Sequence, residues 1–418
     1  MERAILVIPH HKGKSAGEVQ ARAEELAGLV AAAGGEVAGW SGQAREKPET
    51  GMGKGALEQL CQRLRDENAT LAVVDQELSP GILSRMEQGL GEGIRVVDRT
   101  QIILDIFALR ARTREARVQV ELAQYRYLEP RLKGRGRWSR QGGGIGTRGP
   151  GETGLEVERR HVRRRIGELA EELKAIERQR AGRRQRRLAT ELPLVALVGY
   201  TNVGKSTLYG ALTGYGQVAH DSLFVTLDTK VRRILVPQFG WALMVDTVGF
   251  VDRLPHPLVA AFRSTLAEVR DADLLLEVVS ADPSFPIPIA EQRRVIDQTL
   301  ADLDVSRIPR LLVYNQWDRV ADQTFYPQSG SVKVSALYGQ GMENLRQSLG
   351  VRLAESASTE TLTVAWDQAG AWRVVYREMA IVSRRDFKDG AELVLRGSGR
   401  AFHLLHQALG TSGYALKR

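Results

Sequence analysis

A phosphate-binding pattern is the most informative group of residues in this chain. Residues Gly199–Ser206 read G-Y-T-N-V-G-K-S and directly follow an apolar run, Leu194–Val198. Glycines in such a loop turn backbone N–H groups inward, and the helix N-terminus behind the loop attracts phosphate oxygens. The lysine of this pattern reaches the terminal phosphates, and its last hydroxyl ligates Mg²⁺. We therefore expect phosphate and metal contacts from Gly199, Tyr200, Thr201, Asn202, Val203, Gly204, Lys205, Ser206 and Thr207.

A second pattern, D-x-x-G, follows the apolar run Ala242–Val245. Asp246 is expected to hold the Mg²⁺ shell through water, and the N–H of Gly249 to meet a γ-phosphate. Ligands bind at the carboxyl ends of strands in parallel α/β sheets, which is where this pattern lies. The sequence therefore predicts nucleotide contacts from Asp246, Thr247, Val248 and Gly249.

A third pattern, N-x-x-D, follows the apolar run Leu311–Tyr314. A carboxylate at Asp318 can accept hydrogen bonds from both N1–H and the N2 amine of guanine, whereas adenine offers no such pair of donors. This residue is the main reason to prefer GTP over ATP. The segment Ser331–Ala336 supplies a further loop, whose backbone N–H can meet guanine O6. Base contacts are expected from Asn315, Gln316, Trp317, Asp318, Ser335 and Ala336.

A threonine that ligates Mg²⁺ and contacts the γ-phosphate is expected between the phosphate loop and Asp246. Thr226 and Thr229 are both candidates, and spacing alone does not separate them. The surrounding block is predicted to contact nucleotide through Phe224, Val225, Thr226, Leu227 and Asp228. Catalysis is then assigned to Lys205, Thr226 and Gly249.

Two positions depart from the usual patterns of GTP-hydrolysing proteins. Position 316 is Gln where N-K-x-D has lysine, so we expect weaker nucleotide binding with guanine specificity kept by Asp318. Phe250 follows D-x-x-G, where Ras-like proteins have a glutamine that orients the attacking water. Because a phenyl ring cannot hydrogen-bond water, intrinsic hydrolysis is predicted to be slow and stimulated by a partner.

Positive charge is concentrated in one segment of the chain. The 418 residues carry a net charge of +9, whereas residues 131–188 hold 18 Lys and Arg against 7 Asp and Glu, a net charge of +11. Such a segment indicates a polyanionic partner, usually nucleic acid, although a solvated helix face would look the same. The lone Cys61 and the lack of an 18-residue apolar run favour a reducing, cytoplasmic location, with peripheral membrane contact left open.

The order of apolar runs predicts an α/β protein of four parts. Residues 1–98 are expected to form an α/β subdomain, 99–188 a basic helical hairpin, 189–355 a P-loop domain of the Ras-like G type, and 356–418 a small α+β domain. The hairpin is predicted from two apolar seams, one of which runs from Ile102 to Tyr127 and is closed by Pro130. The second seam comprises Val162, Ile166, Leu169, Leu173 and Ile176. The segment Arg183–Arg187 is expected to be a linker.

The chain resembles the HflX family of translation-associated GTPases. The resemblance rests on the G patterns, on Leu104–Glu115, on Leu155–Arg160 and above all on the glycine-rich loop Gln141–Gly154. It implies GTP and GDP with Mg²⁺ as ligands, with Ser206, Thr226 and Asp246 at the metal. Phe250 fits this family, whereas Gln316 does not.

The resemblance also implies a partner. It points to the large ribosomal subunit and its RNA, contacted through the basic hairpin and the glycine-rich loop, and to dissociation of ribosomes under stress. The protein is expected to be a monomer. Two other functions stay open. One is ribosome assembly with the same hairpin, and the other is a nucleotide-binding module with negligible hydrolysis.

Overall fold

The computed structural model describes residues 2–45, 52–135, 154–188, 192–215, 224, 230–251, 267–320, 327–355 and 357–410. The chain forms two compact units. The first comprises Met1–Glu177, Ser222–Asp228 and Asp252–Arg263, and the second comprises Arg178–Asp221, Thr229–Val251 and Ser264–Arg418. Among the described residues, no helix has both the length and the apolar character needed to cross a bilayer.

The first unit opens with the parallel α/β sheet that its sequence predicts. Its strands pair in the order β2-β1-β3-β4, all parallel. Leucine, isoleucine and valine side chains from strands and helices fill the core on one face, centred on Ile5, Val7 and Leu64. The elements are β1 Arg3–His11, α1 Ala16–Ala32, β2 Glu36–Arg45, α2 Lys54–Asp66, β3 Leu71–Val74, α3 Pro80–Leu90 and β4 Arg95–Asp98.

Three helices follow the sheet: α4 Arg99–Arg110, α5 Arg114–Arg135 and α6 Gly154–Leu188. The prediction of one continuous seam from Ile102 to Tyr127 was wrong, because the helix is interrupted between α4 and α5 and Leu109 is 67% exposed. Pro130 does not end α5 but lies inside it. Arg183–Arg187 is not a linker, since α6 continues through it.

Helices α5 and α6 pair as an antiparallel hairpin. Val118 and Leu122 pack against Leu169, and Ile166, Leu173 and Ile176 of the predicted second seam complete this cluster. Cross-helix ion pairs join Arg163 to Glu129 at 2.9 Å, Arg165 to Glu121 at 2.9 Å and Arg114 to Glu172 at 2.8 Å.

The opposite face of α5 is anchored at the start of α4. The buried carboxylate of Asp98 accepts hydrogen bonds from the Tyr127 hydroxyl at 2.8 Å and from Arg131 at 3.1 Å. The same carboxylate accepts from the backbone N–H groups of Leu78 and Gln101, so it also caps α4. Tyr127 therefore belongs to this anchor, and the hairpin seam on α5 runs through Val118 and Leu122 instead.

The second unit contains a six-stranded sheet in the order β10-β9-β8-β5-β7-β6, in which only the β6–β7 pair is antiparallel. Strands β5 and β8 are buried along their whole length, as expected of central strands in a parallel sheet. The elements are β5 Leu194–Gly199, α7 Lys205–Thr213, β6 Lys230–Val236, β7 Gly240–Asp246, α8 Ala267–Arg270, β8 Leu274–Ser280, α9 Ile289–Asp302, β9 Arg310–Asn315, β10 Val332–Lys333 and α10 Met342–Ala354.

The same unit ends in a three-stranded antiparallel sheet of order β11-β13-β12. Two helices pack on it around Val364, Trp372 and Leu393. Its three strands and two helices have the α+β character that the sequence predicts for this region. The elements are β11 Ser358–Ala365, α11 Ala369–Glu378, β12 Ala380–Asp386, β13 Gly390–Gly397 and α12 Gly399–Ala408.

Candidate nucleotide-binding site

The phosphate loop connects the central strand β5 to α7. Two of its glycines are required by close packing, because a Cβ on Gly199 would lie 2.3 Å from the Val278 carbonyl oxygen. Gly204 has a left-handed backbone at φ 85°, and a Cβ there would lie 2.4 Å from the Asn315 side-chain nitrogen. Helix α7 starts at the next residue, so its N-terminal N–H groups point into the loop as phosphate binding requires.

Lys205 is buried at the centre of this loop. Its ammonium donates hydrogen bonds of 3.0 Å and 2.6 Å to the carbonyl oxygens of Gly199 and Tyr200. Burial lowers the pKa of Lys205 to about 8, and the nearby carboxylate of Asp246 acts in the opposite direction. A phosphate group beside this ammonium would favour its charged form.

Ser206 and Asp246 form the expected pair of metal-binding side chains. The Ser206 hydroxyl donates a 2.8 Å hydrogen bond to the fully buried carboxylate of Asp246. The buried Thr247 hydroxyl donates at 2.5 Å to the Leu197 carbonyl oxygen, which ties the end of β7 to β5. A hydroxyl and a carboxylate are hard oxygen donors of the kind that Mg²⁺ accepts beside phosphate oxygens. The donor set thus fits magnesium.

Gly249 lies directly against the phosphate loop. A Cβ there would be 2.9 Å from the Cα of Thr201 and 3.1 Å from the Lys205 ammonium, so only glycine fits. Phe250 continues this contact, since its N–H donates to Gly199 at 3.0 Å and its carbonyl accepts from the Thr201 N–H at 2.7 Å. The phenyl ring is 3% exposed and Val248 is also buried, so this segment presents backbone to the loop.

The residues that the sequence predicts to bind the base gather at the end of β9. The buried Asn315 side chain donates 2.8 Å to the Val203 carbonyl oxygen and accepts 3.0 Å from the Ala336 N–H. Both flanking loops are thereby tied to β9. Ser335 is buried. Trp317 begins a 3₁₀ turn that ends at Arg319, and Asp318 within that turn is exposed.

The structure brings most of the predicted site residues together at this edge of the sheet. Thr207 is half-buried in the first turn of α7, and Asn202 is exposed at the loop tip. Sequence reasoning missed Ser280, which lies at the end of β8 and donates a hydrogen bond to Gln316. A buried hydroxyl at the carboxyl end of a central strand was the available signal.

The block around Thr226 is described only at Phe224. Val225, Thr226, Leu227, Asp228 and the alternative Thr229 lie outside the described residues. Phe224 belongs to the first compact unit, where its ring meets the Phe107 ring edge-to-face with centroids 4.7 Å apart.

Three family descriptions match consecutive parts of the chain. Residues 20–108 match "GTP-binding GTPase N-terminal", residues 110–187 match "GTP-binding GTPase Middle Region", and residues 194–316 match "50S ribosome-binding GTPase". Together they span more than half of the sequence.

Curated relatives give the same result. A protein named GTPase HflX from Caldanaerobacter subterraneus is 40% identical over 393 residues, covering 93% of this chain and 89% of the relative. The GTPase HflX of Alkalihalophilus pseudofirmus is 47% identical over 301 residues, covering 71% and 70%. That of Escherichia coli is 39% identical over 384 residues, covering 89% and 88%. This chain is therefore a GTP-binding, GTP-hydrolysing protein of the HflX family.

Proposed function

We propose that this GTPase binds the large ribosomal subunit and separates ribosomes, with GTP hydrolysis acting as the release step. GTP or GDP would be bound with Mg²⁺ by the phosphate loop, by Asp246–Gly249, by Asn315–Asp318 and by Ser335–Ala336. The metal ligands would be Ser206, Thr226 and Asp246. A cytoplasmic monomer of four parts, 1–98, 99–188, 189–355 and 356–418, is part of this proposal.

The hydrolysis step would depend on positioning and charge rather than on a covalent intermediate. Lys205 and the backbone N–H of Gly249 would stabilise charge on the phosphoryl oxygens, and Mg²⁺ supplies further charge when bound. Phe250 offers only its backbone to the loop. Because no side chain there can orient water, basal turnover would be slow and a ribosomal component would speed it.

The observation that carries ribosome binding is the arginine-rich face of α6. Arg160, Arg163 and Arg164 have exposed side chains on this helix. Arg163 and Arg165 pair with Glu129 and Glu121 of α5, and Arg164 lies 3.7 Å from Glu168 on α6 itself. These exposed side chains belong to the segment of the chain that carries a net charge of +11. Exposed guanidinium groups suit phosphate oxygens of RNA. The match to a family described as 50S ribosome-binding GTPase supports ribosomal RNA as that partner.

Sedimentation with mature, intact ribosomes tests this function. We expect a GTP-dependent shift from intact ribosomes to free subunits, with the protein on the large subunit. The double variant Arg160→Glu with Arg164→Glu should bind the large subunit more weakly than the natural chain. Binding of the natural chain should fall steeply as salt is raised, because phosphate contacts dominate. An assembly GTPase would instead bind precursor particles and leave mature ribosomes intact, which would contradict the proposal.

A further inference from the structure

Gln316 occupies the base-binding position where N-K-x-D has lysine, and its side-chain amide has two neighbours. The Ser280 hydroxyl at the end of β8 donates a hydrogen bond to the Gln316 amide oxygen. The Gln316 amide nitrogen donates to the Asn202 carbonyl oxygen of the phosphate loop at 3.4 Å. The Gln316 backbone is left-handed, with φ 60° and ψ 33°, a conformation that costs energy for a residue with a side chain. These contacts help to offset that cost.

Ser280 is fixed more firmly than an ordinary loop serine. Its side chain is 1% exposed, and its backbone N–H donates to the side-chain oxygen of the buried Gln292 at 2.9 Å. The hydroxyl already accepts a 3.2 Å hydrogen bond from the Asp282 N–H. Its own proton is therefore available for one acceptor, and that acceptor is the amide oxygen of Gln316.

A lysine at position 316 could not take over this role. An ammonium group has three donors and no acceptor, so it cannot receive the proton that Ser280 offers. The buried hydroxyl would then have to turn its proton elsewhere, or leave it unpaired at a cost in free energy. The serine at 280 is thus matched in chemistry to the glutamine at 316.

We propose that Ser280 is a positioning residue for guanine nucleotide, acting through Gln316. By holding the amide between β8 and the phosphate loop, it keeps the aliphatic stem of Gln316 in place as one wall of the base pocket. An uncharged hydrogen-bonded pair thereby replaces the lysine of the usual pattern. This inference rests on the proposed guanine site at Asp318.

Titration of fluorescent GDP and IDP in Mg²⁺ buffer tests the pair. Ser280→Ala should weaken binding of both nucleotides by a similar factor of about five, because the wall touches the ring and not the 2-amino group. Gln316→Lys alone should bind no more tightly than the natural chain. The double variant Ser280→Asp with Gln316→Lys should bind both nucleotides more tightly than Gln316→Lys alone, since a carboxylate accepts from the ammonium.

A matched control is Thr299→Ala, which removes a partly buried hydroxyl that donates within α9 to Val295. It should leave GDP affinity unchanged. The proposal is overturned if Ser280→Ala binds GDP as the natural chain does, or if Gln316→Lys alone binds GDP more tightly than the natural chain. It is also overturned if the double variant binds no more tightly than Gln316→Lys alone. An error in the guanine site would show separately, as an Asp318→Ala variant that still prefers GDP to IDP by the natural ratio.

Discussion

The Ser206 hydroxyl lies 2.8 Å from the buried carboxylate of Asp246, at the start of α7 and the end of β7. These two side chains would hold a bound Mg²⁺, which would supply positive charge beside the phosphate groups of the nucleotide. We therefore expect EDTA to speed GDP release from the natural chain by at least ten-fold, as followed by the fluorescence of a labelled GDP. Ser206→Ala should release GDP quickly with or without EDTA.

The control for this variant is Thr213→Ala, which removes a hydroxyl at the other end of the same helix that donates to the Tyr209 carbonyl. It should keep the full effect of EDTA. An undiminished effect of EDTA in Ser206→Ala would show that this serine does not hold the metal.

Asp318→Asn should change which base the site accepts. The substitution replaces one acceptor oxygen with an NH₂ donor, so the side chain suits the C2 oxygen of xanthine better than the C2 amine of guanine. GTP affinity should fall by one to two orders of magnitude, because a hydrogen bond to a charged group contributes about 1.5–3 kcal/mol. XTP should become the tighter ligand. Competition between the two nucleotides measures this directly, with the exposed Asp302→Asn on α9 as the unaffected control.

Gly240→Ala should destabilise the second unit. Gly240 has φ 107°, which alanine adopts only with strain, and a Cβ there would lie 2.6 Å from the carbonyl oxygen of Glu378. We expect a loss of about 1–3 kcal/mol, visible as a lower melting temperature. Gly167→Ala lies on the exposed surface of α6 with no atom within 4 Å, and should raise stability slightly. Equal melting temperatures for both variants would contradict the tight packing at Gly240.

Asp105→Asn should stabilise the first unit in a pH-dependent way. Asp105 lines a cavity of about 400 Å³, and burial raises its pKa from 3.8 to about 6, despite the opposing charge of Arg95. Between these pH values the unfolded chain has lost this proton and the folded chain has kept it. Stability therefore falls as pH rises from 4 to 6 and stays lower above that range.

The asparagine variant removes this dependence. Its gain in melting temperature should be larger at pH 7.5 than at pH 4.5, and the exposed Asp66→Asn serves as the control for removing a carboxylate elsewhere in the unit. A gain that is equal at the two pH values would mean that Asp105 is already ionised in the folded state at low pH.

Much of the second unit follows from local sequence signals. The strands that lead into G-x-x-x-x-G-K-S, D-x-x-G and N-x-x-D are apolar runs. Such runs are the pattern of strands that are buried on both faces of a parallel sheet. The contact between Gln316 and Ser280 was not predictable, because the two residues are 36 positions apart and meet only once β8 and β9 pair.

The helices of the first unit show where periodicity misleads. The seven-residue pattern continues across the break because α4 and α5 both bury residues in the same unit, namely Ile102, Ile106, Ala116, Val120, Ala123 and Tyr127. The true hairpin seam on α5, at Val118 and Leu122, is short and lies on another face of the helix. Tertiary contacts, such as the hydrogen bond from Tyr127 to Asp98, determine which face of α5 is anchored at the start of α4 and which face packs on α6.

Phosphate release from GTP, measured with and without purified large ribosomal subunits, tests the central claim most directly. We expect slow basal release and a stimulation of at least ten-fold by the subunits, which Arg160→Glu with Arg164→Glu should reduce without changing basal release. Basal release that large subunits leave unchanged would contradict the account.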